Sequence, residues 1–591
     1  MLFRSSAVVD MQHLLGLDEQ RPLAMSFYQP LAHSGGQLHC KLYHADTPLP
    51  LSDVLPILEN LGLRVLGEFP YKLRRADGRE FWIHDFAFIT AEGVKADIQQ
   101  LNDTLQDAFV HIVAGQAEND AFNRLVLSAA MPWREVALLR AYARYLKQIR
   151  LGFDLSYIAA TLVNHAEIAR ELVRLFRTRF YLARKLSAED LQDKQHKLEQ
   201  AILAALDNVA VLNEDRILRR YLDLIKATLR SNFFQSAADG QAKSYFSFKL
   251  SPRLIPDIPR PVPKFEIFVY SPRFEGVHLR FGDVARGGLR WSDREEDFRT
   301  EVLGLVKAQQ VKNAVIVPMG AKGGFVPRRL PPGGTRDEVL AEAIACYRLF
   351  ISGLLDITDN LREGQIVEPE GVVRHDADDP YLVVAADKGT ATFSDIANGI
   401  AREYGFWLGD AFASGGSAGY DHKGMGITAK GAWVSVQRHF RERGIDVQKD
   451  PITVIGIGDM AGDVFGNGLL LSEKLQLVAA FNHLHIFIDP DPDAAKSFVE
   501  RKRLFELPRS SWADYDAQLI SAGGGVFLRS AKSIAITPQM QARFAIQAER
   551  LAPNDLISAL LKAPVDLIWN GGIGTYVKSS KESHADVGDK A

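Results

Sequence analysis

The chain has 591 residues, which at roughly 100–200 residues per domain predicts about three to five domains rather than a single core. Hydrophobic residues make up 47% and charged residues 24%, proportions of ordinary globular proteins that exclude disorder, collagen or a coiled coil for the chain as a whole. Lys and Arg total 70 against 73 Asp and Glu, a formal net charge of −3, so no basic field indicates a nucleic-acid partner.

Cysteine content and the apolar runs bear on the compartment. Cys40 and Cys346 are too few for a disulfide framework, which is typical of proteins from a reducing cytosol. The first residues lack the apolar core and cleavage site of a signal peptide, and no apolar run reaches the roughly 18 residues of a membrane span. We therefore expect a cytoplasmic protein with no membrane partner.

Residues 1–115 are predicted to hold a small α+β domain. The segments LHCKLYH and REFWIHDFAFIT are rich in β-branched and aromatic residues, as strands are. LSDVLPILENLG and VKADIQQLNDTLQDAFVHIV have apolar residues at helical spacing. The resulting order β-α-β-β-α is that of ferredoxin-like folds, which include the ACT regulatory domains.

Residues 116–250 are predicted to form a helical domain that links the first domain to the rest. Segments such as WREVALLRAYARYLKQIR are amphipathic, and no proline occurs between Pro132 and Pro252. The proline-rich stretch SPRLIPDIPRPVPKFEIFVYSP then breaks the helical pattern and is interpreted as a boundary. Apolar strands alternate with helices beyond it, which predicts an α/β substrate domain over 251–430 and a dinucleotide-binding domain over 431–591.

The segment 283–325 combines glycines with cationic side chains. Ser292 followed three residues later by Glu295 predicts a capping box and a helix from about Asp293. AVIVP is interpreted as a buried strand, and MGAKGG as a tight turn at its carboxyl end whose glycines admit a ligand. In open α/β sheets, ligands bind at the carboxyl ends of strands.

Three cationic residues, Arg286, Lys312 and Lys322, bracket this strand and would suit a small dicarboxylate. Gln309 lies one helical turn before Lys312 and shares its helical face. Taken singly, each charge is more typical of a solvated surface. Their combination with R-G-G and A-K-G-G favours a binding site.

These motifs carry a family resemblance. R-G-G-L-R-W, V-K-N-A, P-M-G-A-K-G-G and A-A-D-K-G-T resemble the substrate domain of the glutamate dehydrogenase superfamily. More closely, residues 270–580 resemble the large bacterial NAD-specific glutamate dehydrogenases, which have long N-terminal extensions. The resemblance implies that Lys322 is the catalytic lysine and that Lys312 holds the substrate α-carboxylate with help from Gln309.

Arg286, with Gly287 and Gly288 after it, departs from the small hexameric enzymes of the superfamily, which have a lysine at the position of Arg286. A guanidinium can still grip a carboxylate through two parallel hydrogen bonds. The turn M-G-A-K is also one residue shorter than M-G-G-A-K of the small enzymes, which leaves the register of Lys312 open.

Asp387 follows the apolar segment YLVVAA, and an acid at the carboxyl end of a strand is well placed for proton transfer. A turn-capping aspartate is an equally good interpretation from the residue alone. The resemblance implies that Asp387 exchanges protons with the amino or imino group. It also places Ser417 and Thr428 beside the nicotinamide, although an ordinary loop explains Ser417 nearly as well.

A dinucleotide-binding turn is predicted after the strand ITVIGI. The motif G-x-G-x-x-A there consists of a sharp glycine turn, a second glycine that admits the pyrophosphate, and a small residue that lets helix and strand pack. Its residues are Gly456, Gly458, Asp459, Met460 and Ala461.

The acid that usually binds the ribose about 20 positions on is absent at that spacing. Asp489, after HIFI, is the expected substitute, which would favour NAD over NADP; Asp491 and Asp493 are alternatives. Asn570 is expected at the carboxyl end of a later strand, near the nicotinamide. His483 and His485 lack further ligands at metal-binding spacing, so no metal site is expected.

Little chain remains after VDLIWNGGIGTYV, so we expect a truncated Rossmann domain and a partial chain. The resemblance implies NAD-dependent oxidative deamination of L-glutamate to 2-oxoglutarate and ammonium by an oxidoreductase acting on CH–NH2 donors, in a homo-oligomer for which the family suggests a tetramer. Two alternatives stay open. One is a related dehydrogenase acting on another amino acid, such as leucine; the other is a regulatory or assembly fragment without activity.

Overall fold

The computed structural model describes residues 2–18, 22–28, 38–46, 49–90, 98–181, 187–312, 319–386, 391–417, 422–571 and 579–583. Its contacts divide the chain into two compact units, residues 1–416 and 417–591. Among the described helices, none is long and apolar enough to cross a membrane.

The first part of unit 1 is an antiparallel sheet backed by helices. Its elements are α1 (Leu2–Leu15), β1 (Leu23–Tyr28), β2 (Leu38–Ala45), α2 (Leu51–Asn60), β3 (Leu63–Arg74), β4 (Glu80–Thr90) and α3 (Ile98–Val113). The strand order is β1-β2-β4-β3. The predicted β-α-β-β-α order is confirmed from β2 to α3. The last strand of a β-α-β-β-α-β unit is replaced by β1, which precedes the others in the chain.

The predicted helical domain, residues 116–250, is helical only up to Ala227, and two strands, Thr228–Ser231 and Phe246–Leu250, follow within it. It contains α4 (Arg124–Ser128), α5 (Trp133–Gln148), α6 (Leu155–Asn164), α7 (Ala166–Phe180), α8 (Ala188–Leu206) and α9 (Leu212–Ala227). The Asp154 carboxylate caps α6 by accepting from the backbone N–H of Ser156 at 2.6 Å. Leu139 and Phe176 are fully buried, because the apolar face of each helix packs against its neighbours.

A mixed sheet of eight described strands completes unit 1. Its elements and the segments beside them are β5 (Thr228–Ser231), β6 (Phe246–Leu250), β7 (Phe265–Ser271), β8 (Phe274–Arg280), β9 (Ala285–Arg286), β10 (Gly288–Trp291), α10 (Phe298–Lys312), β11 (Met319–Pro327), α11 (Arg336–Leu355), β12 (Asn360–Arg362), β13 (Gln365–Val367), β14 (Ala385–Ala386) and α12 (Ala391–Glu403). The strand order is β14-β10-β11-β8-β7-β6-β5, and β9 also pairs with β11.

This sheet continues across the predicted domain boundary and packs against helices on both faces. The proline-rich stretch interpreted as a boundary joins β6 to β7, which are hydrogen-bonded neighbours, so it lies within one sheet. Helices α11 and α12 share a hydrophobic core with one face of the sheet. Helix α10 and the helical region share another core with the opposite face.

Unit 2 has a Rossmann-type α/β arrangement. Its elements are α13 (His422–Met425), α14 (Ile427–Glu442), β15 (Ile452–Ile457), α15 (Asp463–Gly468), β16 (Leu475–Phe481), β17 (His485–Ile488), α16 (Ala494–Glu506), β18 (Gly525–Leu528), β19 (Ile534–Ala535), α17 (Pro538–Phe544), β20 (Arg550–Leu551), α18 (Pro553–Leu560) and β21 (Leu567–Asn570). The main sheet has the order β18-β17-β16-β15-β21. Strands β16, β15 and β21 are parallel, whereas β17 is antiparallel to β16 and to β18.

Candidate active site

Lys322 lies within a strand. The prediction of a tight turn for MGAKGG is wrong, because these residues form most of β11, with residues 319–320 paired to β9 and residues 321–324 paired to β8. Lys322 is opposite Leu279 on β8, and its neighbour Gly323 is opposite Leu289 on β10. The side chain of Lys322 is only 7% exposed. The sheet therefore fixes the backbone of this lysine on both sides.

The glycines beside Lys322 serve packing inside the protein. A Cβ on Gly324 would lie 2.6 Å from a methyl of Val302 on α10, so the glycine lets this helix approach the sheet. Lys322, two residues earlier, is on the same face of the strand as Gly324. The face that carries Lys322 is therefore the one covered by α10.

Three motifs that are far apart in sequence meet on adjacent strands. Arg286 on β9 is opposite Gly320 on β11, and a Cβ on Gly287 would lie 1.4 Å from the carbonyl oxygen of Ala321. Only glycine fits at this crossing. Gly288 on β10 is opposite Ala385 on β14. R-G-G, A-K-G-G and the segment before Asp387 thus lie side by side in one sheet.

Asp387 itself lies outside the described residues. The last described residue before it, Ala386, is opposite Leu289, and Leu289 is in turn opposite Gly323. The chain therefore reaches position 387 from the strand next to β10. The proton-transfer role assigned to Asp387 stays a prediction.

Helix α10 begins later than predicted. Instead of the expected capping box, the Ser292 hydroxyl accepts from the backbone N–H of Arg294 and donates to Glu301 at 2.6 Å, and the helix starts at Phe298. Gln309 and Lys312 lie in its last turn, but their side chains are outside the described residues. AVIVP, interpreted as a strand, is also outside them.

A buried ion pair fixes α10 to the sheet. Arg299 of α10 donates two hydrogen bonds of 2.7 Å to Glu266 of β7, and both side chains are fully buried. Burial alone would lower the pKa of the Arg299 guanidinium, but the Glu266 carboxylate outweighs it and raises that pKa. Gln148 of α5 accepts from the backbone N–H of Arg299 and donates to the carbonyl of Glu295. Sequence patterns gave no signal for these long-range contacts.

In unit 2, the glycine turn has the predicted strand–turn–helix setting. It connects β15 to α15, and Gly458 has φ of 141°, a backbone conformation that favours glycine. A Cβ on Gly456 would lie 2.5 Å from the ring of Phe465. This close approach of strand, turn and helix is the shape that accepts a pyrophosphate.

The third small residue of the motif has a different location from the one expected. Ala461 lies in the turn, before α15 begins at Asp463. The close helix–strand packing assigned to it is provided by Gly468, where a Cβ would lie 2.1 Å from the ring of Trp569 on β21. Met460 is buried, and Asp459 is partly exposed.

Asp489 is not at the carboxyl edge of the parallel strands. It follows β17, which runs antiparallel to β16, and its backbone N–H bonds the carbonyl of Val478 in the middle of β16. Asp489 is 0% exposed, and its carboxylate accepts from the backbone and hydroxyl of Ser521. The residue that follows the second parallel strand is Asn482, 24 positions after Gly458. This is close to the usual distance of about 20 positions, and the distance is the feature of the sequence that could have identified Asn482.

The remaining predicted cofactor residues are Asn570, at the carboxyl edge of the parallel strands, and Thr428 and Ser417, which lie in other segments of unit 2. Asn570 ends β21 opposite Ile457, the residue before Gly458, and is exposed. Thr428 is the second residue of α14, whose N-terminal Gly426 packs closely on Asn467 of α15. Ser417 is exposed at the start of unit 2. Contact of these residues with nicotinamide stays a prediction.

Three family descriptions match successive parts of the chain. The bacterial NAD-glutamate dehydrogenase catalytic domain matches residues 201–591, the glutamate dehydrogenase ACT3 domain matches residues 22–101, and the glutamate dehydrogenase helical motif 3 matches residues 117–182. The first match covers well over half of the chain.

Curated relatives match nearly the whole chain. The NAD-specific glutamate dehydrogenase of Pseudomonas aeruginosa is 84% identical over 99% of this chain and 36% of its own length. That of Mycobacterium tuberculosis is 54% identical over 92% of this chain and 34% of its own length. The chain thus spans about a third of the length of these relatives.

Solved structures of smaller enzymes are more distant. A hetero-hexameric glutamate dehydrogenase from Thermus thermophilus, in a leucine-bound form, is 19% identical, with a TM-score of 0.26 over 43% of this chain and 54% of its own. The glutamate dehydrogenase of Plasmodium falciparum is 13% identical, with a TM-score of 0.30 over 67% of this chain and 66% of its own. On the family match to residues 201–591, the chain belongs to the bacterial NAD-glutamate dehydrogenase family and carries its catalytic domain.

Proposed function

We propose that this chain catalyses the NAD-dependent oxidative deamination of L-glutamate to 2-oxoglutarate and ammonium. The observation that carries the proposal is the meeting of R-G-G, A-K-G-G and the two alanines before Asp387 on adjacent strands of one sheet. The Rossmann-type turn of unit 2 and the names of the curated relatives support it.

In this proposal, some site residues of unit 1 hold the substrate and others take part in the reaction. Arg286, Gln309 and Lys312 hold the substrate carboxylates, with Gly287 and Gly288 allowing close approach of the backbone. Lys322, held by strands on both sides, orients water or the carbonyl at the reacting carbon. Asp387 takes and returns the proton of the amino group.

Gly456, Gly458, Asp459, Met460 and Ala461 would hold the pyrophosphate and the adjoining ribose of NAD. When bound, NAD would supply the acceptor for the hydride of the substrate Cα. Ser417 and Thr428 are assigned to its nicotinamide side by the family resemblance, and Asn570 by its position at the carboxyl end of a strand. Asp489, which is buried and bonded to Ser521, is left out of this set.

A cytoplasmic location and a homotetramer belong to the same proposal. The free, buried thiols of Cys40 and Cys346 are typical of a reducing compartment. The tetramer is what the family resemblance implies. Sedimentation of the longest polypeptide that contains residues 1–591 would test the oligomeric state.

The test of the reaction is NADH formation, followed by absorbance, with L-glutamate compared with L-leucine and NAD with NADP. Lys322→Ala should lower turnover with glutamate at least about a hundredfold, the scale of general acid–base catalysis, while NAD binding persists. Lys307→Ala, on an exposed position of α10, is the matched control and should keep turnover. Retained turnover in Lys322→Ala would contradict the assignment of the lysine.

The same assay separates the alternatives. Activity with leucine but not glutamate would indicate a related amino-acid dehydrogenase. If residues 1–591 form no NADH but a longer polypeptide does, the proposed reaction is supported and further chain is required for it. If neither forms NADH, the proposed function is wrong.

A further inference from the structure

The carboxyl edge of the parallel strands in unit 2 carries an amide where a carboxylate is usual. In a dinucleotide-binding fold, an acid after the second parallel strand accepts a hydrogen bond from the ribose 2′-hydroxyl. Here β16 is that strand, since it runs parallel to β15 with Phe481 opposite Ile457. The next residue is Asn482, so the usual acid is absent from its position.

The orientation of the Asn482 amide is fixed by its neighbours. The side chain is 1% exposed, and its oxygen accepts from the backbone N–H groups of Leu484 and His485, both at 2.8 Å. The amide NH2 therefore faces the other way, and it donates to the Asp459 carboxylate at 2.9 Å. Asn482 thus holds a carboxylate that comes from a different segment of the chain.

Asp459 belongs to the glycine turn, and its side chain connects that turn to Asn482 at the end of β16. It follows Gly458, whose backbone N–H donates to the carbonyl of Phe481 at 2.8 Å, so the turn is tied directly to the end of the second strand. Asp459 is partly exposed, whereas Asp489 is buried. Of the two carboxylates, only that of Asp459 lies at the carboxyl edge.

A cationic side chain also bonds to Asn482, at the end of the same strand. Arg529 donates to the Asn482 carbonyl at 3.1 Å and to the Asn554 side chain at 3.2 Å. Arginine at this edge would donate hydrogen bonds to a 2′-phosphate. A carboxylate at the same edge would repel that phosphate and accept from a free 2′-hydroxyl.

We propose that Asp459, held by Asn482, is the residue that selects NAD over NADP in this chain. The inference rests on the proposed function, because it requires that the turn at 456–461 binds a nicotinamide dinucleotide. In this proposal, the carboxylate that accepts a hydrogen bond from the ribose 2′-hydroxyl comes from the glycine turn, and not from the end of the second strand.

The experiment compares dissociation constants of NAD and NADP, measured by titration calorimetry without substrate, for the wild type, Asp459→Asn, Asp459→Glu and Asp450→Asn. Asp459→Asn should reduce the preference for NAD at least tenfold, chiefly through tighter NADP binding, whereas Asp459→Glu should keep it. Asp450 precedes β15 at the opposite edge of the sheet, so Asp450→Asn removes the same charge and should leave the preference unchanged.

The arginine provides a second variant. Adding Arg529→Gln to Asp459→Asn should remove the gained NADP affinity. An unchanged preference in a folded Asp459→Asn protein would overturn the inference while leaving the proposed function intact. A wild type that binds neither nucleotide would overturn the proposed function first, and the inference with it.

Discussion

Glu118 and Glu275 are two buried glutamates of unit 1 that share the same arginines but bind them differently. Glu118 accepts from Arg144 at 3.1 Å and also from Arg328 and the Tyr270 hydroxyl. Glu275 lies 3.7 Å from Arg144 and 3.6 Å from Arg328. Burial raises the pKa of Glu275 to about 7 against the partial attraction of both arginines. For Glu118, burial acts in the same direction, but the closer arginines outweigh it and lower the pKa.

The pKa of Glu275 predicts a pH-dependent stability. Between its usual pKa of 4.5 and about 7, the folded state holds a proton that the unfolded state releases, so this residue makes folding less favourable as the pH rises through that window. Glu275→Gln, which stays neutral, should match the wild type near pH 4 and be more stable above pH 7 by on the order of 2–3 kcal/mol.

Thermal unfolding of both proteins from pH 4 to pH 8 measures this difference. Glu295→Gln is a suitable control, because Glu295 also bonds Arg328 but is half exposed, and it should show no comparable gain. A stability difference for Glu275→Gln that does not change with pH would contradict the shifted pKa.

The position of helix α10 depends on a long-range contact that no local sequence pattern predicts. Arg299 of this helix is fully buried against Glu266 of β7, and Gln148 of α5 accepts from the backbone N–H of Arg299, the second residue of the helix. A buried charge that loses its partner is costly, while replacing both charges by apolar groups is often neutral. The pair therefore fixes the position of the helix that carries Gln309 and Lys312.

Glu266→Gln should destabilise unit 1 by about 3–5 kcal/mol, because it leaves the Arg299 guanidinium buried without a carboxylate. The double substitution Glu266→Met with Arg299→Met should cost much less. Urea unfolding followed by circular dichroism gives both values. Equal losses for the single and double variants would show that the ion pair does not control the position of α10.

At the scale of the whole molecule, each compact unit has hydrophobic cores of its own. The clusters that contain Leu139 and Phe350 lie within residues 1–416, and those that contain Leu477 and Ile486 lie within residues 417–591. Since hydrophobic burial is the dominant favourable term in folding, the stability of each unit depends first on its own core.

Leu139→Ala and Leu477→Ala each truncate a fully buried leucine and should each cost about 2–5 kcal/mol. Hydrogen exchange read by mass spectrometry should accelerate in peptides of unit 1 for the first variant and in peptides of unit 2 for the second. Acceleration of both units by either variant would contradict the assignment of separate cores.

Local patterns in the sequence were sufficient for the elements whose neighbours are close in the chain. The β-α-β-β-α order of the first domain, the helices from Arg124 to Ala227, and the strand–turn–helix at Gly456 and Gly458 are confirmed. Each depends on hydrophobic periodicity or on a turn residue, which a short window contains.

The tertiary structure decided the strand directions and the partners of the candidate site. MGAKGG contains three glycines that indicate a turn, yet it is a strand because β8 and β10 hydrogen-bond to it on both sides. HIFI has the pattern of a strand, but only its pairing with β16 reveals that it runs antiparallel and carries Asp489 away from the carboxyl edge. The sequence alone was sufficient to identify the motifs and the family resemblance. The strand register that brings R-G-G beside A-K-G-G, and the contact that brings Asp459 beside Asn482, depend on residues far apart in the chain, which no local pattern encodes.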